Sequence, residues 1–251
     1  MAGPAGAAEV KLLAAGSLRG AMSEIAAAQG GVVVEFGPSG LLRERIEKGE
    51  VVDVFASANL AHPARLAAAR GRPMVLFARN RLCAAVRPGL AVTSETLLAR
   101  MLDPAIVVGT STPRADPSGD YAWQVFERAE AVRPGARAAL EAKARQLVGG
   151  PASAPIPPGR SAYAFHLGQG NADIFLSYCT NARNAAQELA GATTVALPPE
   201  LAVGAELGLV VLTDATAAFN FALFVLSPAG QAILARHGFE APSAPVIERL
   251  P

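Results

Sequence analysis

Residues 10–57 have the sequence VKLLAAGSLRGAMSEIAAAQGGVVVEFGPSGLLRERIEKGEVVDVFAS, which carries the clearest signal of the fold class. Three short apolar runs, 10–15, 32–36 and 51–56, alternate with segments whose apolar residues recur at intervals of three and four. Short β-branched runs bounded by Gly, Pro and Ser predict strands, whereas the longer spacing predicts helices. Strands that alternate with helices in this way are typical of an α/β fold with a mostly parallel sheet.

The rest of the chain continues the alternation. Apolar runs predict further strands at 74–86, 106–108, 172–179 and 207–212. Helical spacing predicts helices from residue 120 onward and over 136–148, 160–167, 215–226 and 230–236. The stretch 149–159 is rich in Gly, Pro, Ala and Ser, so it is predicted to be a connection.

The composition excludes several classes of protein. The chain has 251 residues, of which 51% are hydrophobic and 17% charged, so there is ample apolar material for a core and intrinsic disorder is excluded. The 22 basic and 21 acidic residues nearly cancel, which argues against nucleic-acid binding. The most apolar windows, such as 217–226, are far shorter than the ~20 residues that a membrane span needs. The length predicts one large domain or two modest ones.

Two features of the sequence leave alternatives open. Cys83 and Cys179 match no metal-binding spacing, and they form either one disulfide or two buried thiols. The first residues have neither a charged nor an apolar signal-peptide region. Either the protein is cytosolic, or a signal peptide was removed and residues 1–8 are a disordered N-terminal remnant or tag.

Catalytic signatures are sparse. The sequence has no P-loop and no G-x-S-x-G elbow, and its three histidines stand far apart. Four aspartates that could serve in acid–base chemistry are better explained as helix caps or turn residues: Asp53, Asp116, Asp120 and Asp173.

The positive signal is a serine beside a glycine at predicted strand-to-helix junctions. Ser17, Ser39 and Ser118 each have this setting. A helix N-terminus offers unpaired N–H groups and a partial positive charge, and the hydroxyl adds a further donor. Each serine alone is best explained as an N-cap, with Ser17 capping the first helix. Three of them together favour an anion pocket made of neutral donors.

Four segments carry a resemblance to a known family. They are AAGSL at 14–18, PSGLL at 38–42, VDVFAS at 52–57 and LSPAGQAILARHGF at 226–239. Together, and in this order, they resemble the molybdate-binding proteins of ABC importers, which are type II periplasmic binding proteins. The resemblance implies a two-lobed α/β fold, each lobe a mixed sheet flanked by helices, with the ligand cleft between them. Residues 9–80 and 205–251 are expected to form lobe 1, and 81–204 lobe 2.

The resemblance also implies a ligand site. The anion, molybdate or tungstate, is expected to be held by the hydroxyls of Ser17, Ser39 and Tyr178. The backbone N–H of Ser118 is expected to bind it as well, together with one near Arg160 or Ser161. If the guanidinium of Arg114 or Arg160 reached the pocket, we would expect the anion to be more highly charged or to carry a carboxylate or phosphate group.

The resemblance further implies a non-catalytic, monomeric periplasmic protein without a cofactor that delivers its oxyanion to an ABC permease. The same fold allows another small anion, such as sulfate, phosphate or a carboxylate. A different class is an enzyme that uses Asp116, Asp120 or Tyr178 on an anionic metabolite. A third alternative is the ligand-sensing domain of a regulator, although no DNA-binding segment accompanies it.

Overall fold

The computed structural model describes residues 9–242, which form an α/β fold of nine strands and ten α-helices. The strands are β1 Val10–Ala15, β2 Val32–Gly37, β3 Val54–Ser57, β4 Met74–Val86, β5 Val108–Ser111, β6 Arg145–Val148, β7 Ile174–Tyr178, β8 Thr193–Ala196 and β9 Gly204–Val211. The helices are α1 Arg19–Gln29, α2 Ser39–Glu47, α3 Ala61–Arg70, α4 Leu97–Leu102, α5 Pro117–Val132, α6 Ala136–Lys143, α7 Ala162–Gly168, α8 Cys179–Glu188, α9 Thr216–Leu226 and α10 Pro228–Arg236. Short 3-10 turns lie at Gly16–Leu18 and Pro199–Leu201.

The strands form two half-sheets that are joined through β4. The strand order is β2-β1-β3-β9-β4-β7-β5-β6, and β8 pairs with β4. Residues 74–81 of β4 pair with β9, whereas residues 82–86 pair with β7 and β8. We call the part built on β1, β2, β3 and β9 lobe 1, and the part built on β5 to β8 lobe 2. The two-lobed fold is therefore confirmed. The lobe boundaries stay a prediction, and the expectations for 1–8 and 243–251 lie outside the described residues.

The sheet is mixed in direction. Within each lobe three strands run parallel: β1 with β2 and β3, and β5 with β6 and β7. β9 is antiparallel to β3, and β4 is antiparallel to β7, β8 and β9. A mostly parallel sheet, as the alternation predicts, thus exists only inside each lobe, because the strands that cross between the lobes return in the opposite direction.

Lobe 1 is buried on both faces of its sheet. Leu12 and Leu13 are adjacent in β1 and both are fully buried. Because successive side chains of a strand point to opposite faces, Leu12 packs in the large core with Met22 of α1, and Leu13 in a second cluster with Leu42 of α2. Burial on both faces explains why β1 is a continuous apolar run.

Three local predictions are wrong. Helix 136–148 ends at Lys143, and Arg145–Val148 instead forms β6 beside β5, where Leu147 and Val148 pack on the lobe 2 core. The N-cap interpretation of the three serines is wrong: Ser17 lies in the 3-10 turn before α1, and the N-cap positions before Ser39 and Ser118 belong to Pro38 and Asp116. The sequence pattern also missed α4, α8 and β8.

Cys83 and Cys179 form a disulfide, which is one of the two alternatives that the sequence leaves open. Their Cα atoms lie 4.7 Å apart although 96 residues separate them along the chain. Cys83 belongs to the lobe 2 half of β4, and Cys179 is the first residue of α8. The bridge therefore fastens the start of α8 to the strand that joins the lobes.

The most apolar helix, α9, packs against the core of lobe 1 through Ala218, Phe221 and Val225. Of the helices within residues 9–242, none alone is long and apolar enough to cross a membrane. By length and composition α9 and α10 could do so only as a pair, and that pair is bent by 61°.

Candidate anion-binding site

A cleft of about 970 Å³ lies between the lobes. Four of the five predicted ligand residues line it: Ser17 and Ser39 from lobe 1, and Ser161 and Tyr178 from lobe 2. Ser118, the fifth, is fully buried and is not part of its lining. The structure therefore brings together side chains that lie up to 161 positions apart in the sequence numbering.

Ser17 presents an unpaired hydroxyl. It follows β1 directly, in the 3-10 turn that leads into α1. Its Oγ is buried and has no hydrogen-bond partner within the described part of the chain. A buried polar group without a partner costs ~1–3 kcal/mol, which a ligand with acceptor oxygens would recover.

Ser39 opens α2 and keeps a proton available for a ligand. Its Oγ accepts a hydrogen bond from the Ala58 N–H at 3.2 Å, so the hydroxyl proton remains free to donate. The next residue, Gly40, donates its N–H to the Ala115 carbonyl of lobe 2 at 2.9 Å. A Cβ on Gly40 would lie 2.7 Å from the Ala115 oxygen and closer still to the Arg114 oxygen. Only glycine lets α2 approach lobe 2 this closely.

Tyr178 ends β7 and also links the lobes. Its hydroxyl donates to the Ala58 carbonyl at 3.1 Å, and its ring stands edge-on to Tyr121, with centroids 6.1 Å apart. Burial raises its pKa well above the ordinary value, so the phenol keeps its proton. A ligand would compete with Ala58 for this one donor, and donation to an anion stays a prediction.

Asp116 occupies the N-terminus of α5. Its carboxylate accepts the Ser118 N–H at 3.0 Å, which is the backbone donor that the resemblance assigns to the anion. The interpretation of Asp116 as a helix cap is confirmed. Burial raises the pKa of Asp116 to about 6, although the Ser118 N–H and the Ser111 hydroxyl lower it. Asp116 itself lines the cleft.

The loop before α7 places Arg160 in the wall of the cleft, where its positive charge is paired with a carboxylate of the protein. Arg160 lines the cleft and forms an ion pair with Glu188, which also lines it. The same carboxylate accepts the Ser161 N–H at 2.7 Å, and the Ser161 hydroxyl caps α7. Arg114, the other arginine considered from the sequence, is not part of the lining.

Sequence reasoning missed a polar group at the foot of α8. Asn181 donates to the Tyr163 hydroxyl at 3.0 Å and to the Ser177 hydroxyl at 3.2 Å. Asn181 and Tyr163 both line the cleft. Because α8 follows β7 without any Gly or Pro between them, the sequence pattern offered no signal for a helix here.

A second depression, of about 840 Å³, lies beside the crossing strands. Its arginines are neutralised within the protein, since Arg79 pairs with Glu206 at 2.9 Å and Arg81 pairs with Glu240. Among residues 9–242, no group of three or more His, Cys, Asp or Glu side chains could hold a metal ion. The cleft between the lobes is therefore the better candidate for an anion site.

Two α/β lobes joined by crossing strands, with convergent hydroxyls in the cleft between them, define a solute-binding protein. Residues 10–240 match the family described as bacterial extracellular solute-binding proteins, and the chain belongs to that family. Membership implies a periplasmic or extracellular location and a role in binding a small ligand for transport rather than in catalysis.

The chain is also similar to one curated protein and to solved structures of the same fold. An uncharacterized protein of Pasteurella multocida, PM1146, is 41% identical over 179 residues, 68% of this chain and 74% of that protein. The periplasmic molybdate-binding protein of Azotobacter vinelandii has the same fold, with a TM-score of 0.74 at 20% identity over 94% of this chain and 100% of that one. The sulfate-binding protein SubI of Mycobacterium tuberculosis H37Rv has a TM-score of 0.73 at 20% identity, over 94% and 88%.

Proposed function

We propose that this protein captures a tetrahedral oxyanion between its lobes and delivers it to an ABC permease. Molybdate or tungstate is the anion that the resemblance implies. The observation that carries the proposal is the pair of buried lobe 1 hydroxyls: Ser17 Oγ has no partner within the described residues, and Ser39 Oγ has a proton to donate. They share one cleft with Tyr178 of lobe 2.

These donors suit a small anion. Each is neutral, and Ser39 lies in the first turn of α2, where the helix carries a partial positive charge. The lobes already touch through Gly40 and Ala115, and through Tyr178 and Ala58. A ligand that contacts both lobes would favour this closed arrangement over an open one.

Another small anion, such as sulfate, phosphate or a carboxylate, is the second candidate. It is favoured by charged side chains that line the cleft beside the neutral donors. Asp116 adds an acceptor, and Arg160 with Glu188 adds a charged pair. An acceptor suits an anion that brings a proton, whereas donors alone suit a fully deprotonated one.

A thermal-shift panel tests the proposal. We expect molybdate and tungstate to raise the melting temperature more than sulfate, phosphate, small carboxylates or chloride at equal ionic strength. A ligand at a hundred times its Kd adds about 2.7 kcal/mol to the free energy of unfolding. A rise in melting temperature with sulfate or phosphate, but not with molybdate or tungstate, would favour the second candidate over molybdate. No response to any tetrahedral oxyanion would refute the proposal.

A further inference from the structure

Asp116 brings a negative charge into the wall of the candidate anion site. Its carboxyl lies deep against Gly149, where a Cβ would come 2.5 Å from Oδ2. Gly149 has a φ of +77°, a conformation that other residues rarely adopt. The absence of a side chain at Gly149 therefore leaves space for this carboxyl. Asp116 lines the same cleft as Ser17, Ser39 and Tyr178.

The groups around this carboxyl do not neutralise it. No Lys, Arg or His of the described range 9–242 forms an ion pair with Asp116. Its neighbours are Asp120 on α5, Tyr163 on α7 and Tyr178 on β7, together with the Ser111 hydroxyl on β5. Burial, with a smaller contribution from the charge of Asp120, disfavours the charged form of Asp116 and raises its pKa to about 6.

The other charged side chains that line the cleft are Arg19, Arg160 and Glu188. Arg160 and Glu188 pair with each other. Arg19 lies over the Phe36 ring, 4.6 Å from its centroid. Neither guanidinium forms an ion pair with Asp116 in this part of the chain.

We propose that the cleft binds its oxyanion together with one proton, which the Asp116 carboxyl shares with the ligand. This inference rests on the proposed function. Two full negative charges side by side in a partly dry cleft would repel each other, and one proton between them turns that repulsion into a hydrogen bond. Molybdate and sulfate arrive without a proton near neutral pH, so Asp116 must take one from solvent. Hydrogen phosphate brings its own proton and meets the ionised carboxylate.

The proposal sets the direction of the pH dependence. The protonated fraction of Asp116 falls tenfold for each pH unit above its pKa. The affinity for molybdate or sulfate should therefore fall by up to about tenfold per unit above roughly pH 6, with uptake of close to one proton per anion bound. Below about pH 5 the carboxyl is already protonated, and the uptake should approach zero.

The test is calorimetric titration of the full chain with molybdate, sulfate and inorganic phosphate, at about pH 5 and about pH 8, in buffers of different ionisation enthalpy. Asp116→Asn retains a good N-cap and cannot take up a proton. Asp120→Asn is the companion variant: Asp120 is also a carboxyl of α5 but lines the second depression, and because its charge raises the pKa of Asp116, its loss should move the pH dependence slightly lower while leaving the proton uptake at about pH 8 in place.

For the wild type and Asp120→Asn we expect molybdate affinity to drop about a hundredfold between these pH values, with proton uptake at the higher one. For Asp116→Asn we expect molybdate binding that varies less than about threefold with pH, without uptake, and weaker binding of phosphate at about pH 8. Binding of molybdate or sulfate without uptake at about pH 8, or uptake that persists in Asp116→Asn, would overturn the inference and leave the proposed function standing. Binding of none of the three anions at either pH would refute the proposed function itself, and the inference with it.

Discussion

The hydroxyls of Ser17 and Ser39 reach the cleft by the same route. Each follows a strand of the parallel half of lobe 1, β1 and β2, and the carboxyl ends of parallel strands meet at one edge of a sheet. Their position could therefore be predicted from the strand-serine pattern. The role of Asp116 as a helix cap could also be predicted, but its place in the wall of the anion cleft could not, because it depends on the local backbone path, in which Arg114 has a φ of 68°.

Removal of the serine hydroxyls should weaken binding of the anion. Hydrogen bonds to charged groups contribute ~1.5–3 kcal/mol, so Ser17→Ala and Ser39→Ala should weaken molybdate binding by roughly ten- to a hundredfold. Tyr178→Phe should weaken it too, because it removes a hydroxyl from the cleft. Ser118→Ala is the control, since the Ser118 hydroxyl is buried outside the lining and its N–H bonds to Asp116.

Calorimetric titration of these four variants measures the effect, and their melting temperatures show that each remains folded. If Ser118→Ala abolished binding while Ser17→Ala and Ser39→Ala left it intact, the assignment of the donors would be wrong.

At the scale of elements, periodicity predicted those whose boundaries carry a Gly, Pro or Ser. β1, α1, β2, α9 and α10 lie within a few residues of their predicted positions. The apolar spacing of 144–148 is ambiguous and predicts the end of a helix where β6 lies, and pairing with β5 decides its conformation. α8 begins directly after β7, so only the tertiary structure separates the two.

The disulfide between Cys83 and Cys179 links two of these elements, β4 and α8. It ties α8 to β4 across a 96-residue separation, and it should stabilise the protein by about 2–4 kcal/mol. Reduction should lower the melting temperature. Thiol titration of the denatured, unreduced protein should detect neither Cys83 nor Cys179, and a count of two thiols would show that the bridge does not form.

In the whole molecule, the long strand β4 belongs to both half-sheets, and a few polar contacts also hold the lobes together. β4 and β9 pair along the crossing, and Asn80 of β4 donates to the Thr180 hydroxyl of α8 at 3.0 Å. On the cleft side, the contact between Gly40 and Ala115 brings α2 against lobe 2. The resemblance to a known family implies two lobes. It does not predict the contact between Gly40 and Ala115, because these residues are distant in the sequence and only the tertiary structure brings them together.

If the protein binds its anion as proposed, closure of the lobes on that anion depends on Gly40. A methyl group there would meet backbone oxygens of Arg114 and Ala115, which cannot move aside as the end of a side chain can. Gly40→Ala should hold the lobes apart while each lobe remains folded. Gly204→Ala is the matched control, because a Cβ on Gly204 meets no atom within 4 Å.

Whether the anion is held between the closed lobes can be measured by calorimetric titration of the wild type, Gly40→Ala and Gly204→Ala with molybdate. We expect Gly40→Ala to weaken binding by at least about tenfold, because the anion loses its contacts with lobe 2, whereas Gly204→Ala should bind as the wild type does. Equal affinity in all three proteins would contradict the claim that the anion is held between the closed lobes.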